Sequence, residues 1–86
     1  MAHNLRFKIT PLEDGTIASS EAEAVYMSYY DTSKIIGTFY EEESDGTYQI
    51  IVFDDSTSCD QFQADMDALN DNSTDSVRSN LSRYNS

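Results

Sequence analysis

The chain has 86 residues, a formal net charge of −11 and 38% hydrophobic residues. That length holds one hydrophobic core, and six Tyr with four Phe make the chain too apolar for a wholly disordered acidic segment. Five bases against sixteen acids exclude direct binding to nucleic acid and argue against an anionic membrane, since both would repel it. Residues 1–86 are therefore read as one small domain, with 1–4 and 71–86 peripheral to it. Cys59 is the only cysteine and His3 the only histidine, which rules out an internal disulfide and a Cys/His zinc site. No signal-peptide run opens the chain, and no stretch approaches the roughly twenty apolar residues that span a bilayer. A cytoplasmic protein with no cofactor and no metal is expected.

In chain order, Leu5, Phe7 and Ile9 alternate with Arg6, Lys8 and Thr10, the period of a half-buried strand. Residues 20–31 fit two patterns. Ala22, Val25, Tyr26 and Tyr29 have helical spacing behind a Ser20/Glu23 capping-box pair, while Val25, Met27 and Tyr29 alternate as in a strand. Three Tyr in five residues tip the expectation toward a strand over 24–30. Two β-rich segments, 35–43 and 47–54, then flank Asp45-Gly46, a dipeptide suited to a two-residue type I′ hairpin. That register puts Ile35, Phe39, Tyr48, Ile50 and Val52 on one face. Ile36, Tyr40, Ile51 and Phe53 fall on the other, so both faces need cover.

Cys59, Phe62, Met66 and Leu69 form one helical stripe over 58–69, and Ser58 with Gln61 supplies a capping pattern. Asp54 and Asp55 precede this helix, where its dipole favours anions. Val77, Leu81 and Tyr84 have the spacing of a short final helix. The expected fold is α+β: a three- to four-stranded, mainly antiparallel sheet with a C-terminal helix (58–69) packed on one face.

Charge is distributed unevenly. Fourteen of the sixteen acids fall in residues 20–76, where Lys34 is the only base. One base in the span cannot pair them off, and unpaired surface carboxylates oppose compaction by self-repulsion. A basic partner surface built for phosphate would supply the missing counter-charge and release condensed ions, the counterion logic of DNA binding with the signs exchanged. The candidate contacts are Glu41, Glu42, Glu43 and Asp45 at the hairpin tip, with Asp60, Asp67 and Asp71 on one stripe of the helix. Tyr26, Tyr29, Tyr30 and Tyr40 are candidate anchors, because interfaces favour aromatics that bury area and still hydrogen-bond.

Catalysis has little to stand on. His3 lies near the start, Cys59 fits a helix stripe as a small apolar filler, and the three glycines form no phosphate loop. The acids lack the ligand spacing of a calcium loop. A non-enzymatic protein that binds the basic surface of a nucleic-acid-binding protein is the leading expectation. In size, charge and lack of catalytic motif the chain resembles small phage-encoded acidic proteins that imitate DNA or RNA, including some anti-CRISPR and anti-restriction inhibitors. The likeness rests on no shared residue motif; it implies a viral or mobile-element origin and action in a host cytoplasm. The rival expectation is an accessory or structural protein that forms a homodimer or assembly through the apolar face of Ile36, Tyr40, Ile51 and Phe53.

Overall fold

The computed structural model describes residues 2–11, 20–70 and 77–85. Its elements run β1 (His3–Thr10), α1 (Ser20–Asp31), β2 (Ile35–Glu43), β3 (Gly46–Phe53), α2 (Ser56–Asn70) and β4 (Val77–Asn85). The strands form one sheet in the order β2-β3-β1-β4, and every neighbouring pair is antiparallel. This βαββαβ order has the split βαβ, or ferredoxin-like, topology, which constrains packing and says nothing of function.

The α+β class and the antiparallel sheet agree with the sequence, but three elements differ. Residues 20–31 are a helix: Ala22 and Tyr29 are buried and Val25 and Tyr26 pack beside them, so the helical spacing decided the outcome over β propensity. The turn after it explains how α1 stops. Ser33 takes a left-handed φ of 62°, and its N–H donates to the Tyr30 carbonyl (3.1 Å) while that of Lys34 reaches the Tyr29 carbonyl (2.9 Å). That paired closure is a Schellman motif. Second, the helix expected at the C-terminus is α2, which begins two residues earlier than its stripe suggested. Asp55, rather than Ser58, caps it by accepting from the Ser58 N–H at 2.7 Å. Third, the final segment is strand β4 rather than a helix, paired with β1. Of the two ends expected to be peripheral, His3, Asn4 and 77–85 belong to the sheet, while 71–76 lie outside the described residues.

The hairpin also departs from the expected register. Glu43 pairs with Gly46 and Glu42 with Thr47, so the loop is Ser44-Asp45 and Gly46 begins β3. Positive φ falls on Gly46 (141°) and on neither loop residue, which excludes a type I′ turn. Glycine is favoured at 46 by that φ, which L side chains rarely adopt; a Cβ there would also displace the flexible end of Lys8, 2.9 Å away. One extra residue, Ile36, interrupts the ladder between Ile35 and Gly37. The bulge exchanges the two isoleucines: Ile35 turns into the core and Ile36 turns out.

Both helices cover one face of the sheet. Leu5, Phe7 and Ile9 from β1, Ile35 from β2, and Ile51 and Phe53 from β3 meet Ala22, Tyr29, Cys59, Phe62 and Met66 from the helices. Tyr29 stands edge-on to Phe62 at 5.2 Å and to Phe53 at 6.5 Å, a favoured aromatic geometry. Of the second apolar set of the hairpin, Ile51 and Phe53 are thus covered by the chain's own helices, while Ile36 and Tyr40 stay exposed. The helix α1 lies toward β2, where Tyr26 bonds Thr38, and α2 toward β4, where Asp60 pairs with Arg83.

Candidate protein-binding surfaces

The face of the sheet without helices is built by strand alternation. With Leu5, Phe7 and Ile9 inward, Arg6 and Lys8 project to the other side, opposite Ile50 and Tyr48 of β3. On the far side of β3, Glu41 stands opposite Tyr48 and Glu43 opposite Gly46. Arg6 therefore reaches diagonally across Tyr48. Its guanidinium carbon sits 4.0 Å from the ring centroid, its Nε donates to Glu41 at 3.0 Å and its second arm to Glu43 at 2.9 Å. The Glu41 hydrogen bond, with the charges of Glu41 and Glu43, raises the Arg6 pKa. Lys8 lies 3.9 Å from Asp45. The Tyr48 hydroxyl donates to Asp45 at 2.9 Å and accepts from the Asn80 amide at 3.0 Å. This polar lattice leaves Tyr48 and Ile50 only 6% and 8% exposed on a face that no helix covers.

Three of the four hairpin-tip acids are consequently occupied. Glu42 alternates to the other face of β2 and accepts from the Thr47 hydroxyl at 3.0 Å. The expectation that the acids of 20–76 go unpaired thus holds only within that span. The topology brings in bases from outside it: Arg6 and Lys8 from β1, and Arg83 from β4.

The helix layer divides into bonded and unpaired acids. Asp60 pairs with Arg83, and that hydrogen bond raises the pKa of the guanidinium. Asp65 accepts from the Tyr29 hydroxyl at 2.9 Å; burial first, then Asp65, pushes that hydroxyl up to about 12. Glu21, Glu23, Asp31 and Asp67 are exposed, and among the described residues none of them makes an ion pair. Neither helix carries a base in its last turn, so Asp31 and Asp67 also face the negative ends of the helix dipoles. Asp71 lies outside the described residues. The hairpin-tip cluster of Glu41, Glu43 and Asp45 and the helix acids occupy opposite faces of the sheet and form no common surface.

The tyrosines separate in the same way. Tyr29 is a core residue, not an exposed anchor. Tyr26 is half-buried, bonded to Thr38 at 2.7 Å and stacked on Tyr30. Tyr30 and Tyr40 stay exposed, Tyr40 accepting from Gln49. Sequence reasoning missed Phe39, which joins Tyr30, Tyr40 and Ile36, the last named only for the rival apolar face, at 55–59% exposure. Among the described residues, five of the seven large exposed hydrophobics, Met27 included, lie on α1 or β2. Phe39 was legible as a hairpin residue, but only the sheet order shows that its strand is an outer one.

Other chemistry is sparse. Cys59 is fully buried, and burial pushes its thiol pKa up, away from the reactive thiolate. A cavity of about 240 Å³ lies between the helices and the sheet, floored by Phe7, Ile51, Phe62 and Met66. It is smaller than the roughly 300–1,000 Å³ usual for small-molecule sites. Among the described residues no group of three or more His, Cys, Asp or Glu is placed to hold a metal ion, and no helix is long and apolar enough to cross a membrane. No protein-family model matches the chain, and neither the curated proteins nor the solved structures yield a match.

Proposed function

We propose that this protein is a non-catalytic inhibitor or regulator that binds the basic surface of a nucleic-acid-binding protein, with its helix layer standing in for phosphate charge. One observation carries the reading. Glu21, Glu23, Asp31 and Asp67 are exposed on the helices and make no ion pair among the described residues, while Glu41, Glu43 and Asp45 are held by Arg6 and Lys8. Charge that is not compensated within the fold is charge available to a partner. A viral anti-defence role, of the anti-CRISPR or anti-restriction kind, has the size and composition of the chain in its support.

Capture of partners from the native host's lysate at low and high salt tests the proposal. The wild type should retain a protein with a basic, nucleic-acid-binding surface at low salt and release it as screening grows. Glu21→Gln/Glu23→Gln/Asp31→Asn/Asp67→Asn should abolish capture, and Glu41→Gln/Glu43→Gln should leave it largely intact. Equal capture by the helix variant would sink the idea.

A second reading, an accessory protein that assembles through apolar contact, is favoured by the exposed Ile36, Phe39 and Tyr40. Its original surface is reduced, because Ile51 and Phe53 lie beneath the helices. Association of this kind would persist at high salt.

A further inference from the structure

The two outer strands of the sheet are unlike. Strand β4 is polar and broken in the middle: its pairing with β1 shifts between Arg6 and Lys8, opposite Asn80, which takes a left-handed φ of 51°. Such a bulge blunts an edge. Strand β2 is bulged only at its start. From Gly37 to Glu43 it pairs with β3 without interruption, a straight run of roughly 23 Å at 3.3 Å per residue. Among the described residues no backbone hydrogen bond reaches its outer side.

Large apolar side chains flank that outer side on both faces of the sheet. Phe39, opposite Ile50, lies on the face without helices; Tyr40, opposite Gln49, lies on the helix face, where the Tyr26–Tyr30 stack extends the aromatic surface of α1. An added strand would therefore find apolar contact for its alternate side chains on either side of the ladder. At the far end of β2 stand Glu41, Glu42 and Glu43, of which Glu42 makes no ion pair among the described residues. A second copy is a poor occupant, since each copy carries a net charge of −11.

We infer that the outer edge of β2 takes up an extended, lysine- or arginine-bearing segment of the partner protein as a fifth strand. The inference rests on the proposed function for the charge of that partner. Main-chain hydrogen bonds supply affinity, Phe39 and Tyr40 flank the incoming side chains, and Glu42, left without an ion pair among the described residues, with the molecule's net charge of −11 favours basic ones.

The test uses a short acetylated peptide of alternating lysine and valine at low salt, read by binding and by amide hydrogen exchange. Binding should protect the outward amides of β2. Methylating the peptide nitrogens along one edge should weaken binding more than about tenfold, since several main-chain hydrogen bonds are lost. Phe39→Lys/Tyr40→Lys should weaken it comparably, whereas Leu81→Lys/Tyr84→Lys on β4 should change it less than about twofold. Equal binding of peptides methylated on either edge, or protection confined to β4 or to the helices, would overturn the inference. Concentration-dependent protection of β2 in the protein alone would overturn it in favour of a second copy. If the peptide adds to β2 but neutralising the helix acids leaves native capture unchanged, the proposed function fails and the strand site stands. The reverse result removes the strand site alone.

Discussion

Two regions that look alike in sequence, the acid-rich hairpin and the acid-rich helices, differ in what the fold gives them to face. Glu41, Glu43 and Asp45 lie within reach of Arg6 and Lys8, because β1 pairs with β3 on the hairpin's inner side. Asp31 and Asp67 lie on the outer surface of the helix layer, where among the described residues no base pairs with them. Charge counted along a chain is therefore a poor guide to charge on a surface. Topology decides which acids are compensated, and the compensated ones here also cover apolar side chains.

The largest expected contrast concerns packing. Phe62→Ala, beneath the helices at 1% exposure, should cost about 3–5 kcal/mol in chemical denaturation. Phe39→Ala on the outer strand should stay within about 0.5 kcal/mol. A large loss from Phe39→Ala would mean that the open face carries core packing and that the faces differ less than argued.

Next comes the bond that ties α1 to α2. Tyr29→Phe removes the donor to Asp65 and should cost about 1 kcal/mol. Because the Tyr29 pKa is raised from 10 to about 12, the neutral hydroxyl is the form the fold prefers. Its contribution is complete below pH 10 and is lost as pH rises toward about 12. Alkaline denaturation curves of wild type and Tyr29→Phe should converge over that interval, and parallel curves would discount the bond.

A smaller effect concerns the α2 cap. The Ser58 N–H bond to Asp55 lowers that carboxyl's pKa below its ordinary 3.8. The stabilisation is present above 3.8 and lost as pH falls below it through the folded value. Asp55→Ala should lower the Tm at neutral pH and lose most of that difference in acid; a constant difference would mean the cap acts without its charge.

Much of this architecture was legible in the residues. The β1 alternation, the two strands of the hairpin and the Cys59/Phe62/Met66 stripe all appear where their periodicities place them. What failed did so for local reasons. Three tyrosines hid the helical spacing of Ala22, Val25, Tyr26 and Tyr29, and the extra residue Ile36 defeated strict alternation at the start of β2. β4 was misread because Val77, Leu81 and Tyr84 match a helix, while the Asn80 bulge disrupts the strand period. The candidate site was the least legible part. No local pattern could show that Arg6 would meet Glu41 and Glu43, contacts 35 and 37 residues apart.

The central claim is that Glu41, Glu43 and Asp45 of the hairpin are paired with bases while Asp31 and Asp67 of the helices, among the described residues, are not. Thermal melts at low salt of Asp31→Asn/Asp67→Asn and of Glu41→Gln/Glu43→Gln test it most directly. The helix pair should raise the Tm, by about 0.3–1 kcal/mol of stability per site, through relief of repulsion and of the unfavourable dipole position. The hairpin pair should lower it, because Arg6 loses its partners above Tyr48. Added salt should shrink both differences while raising the wild-type Tm. Shifts of the same sign in the two variants would contradict the account.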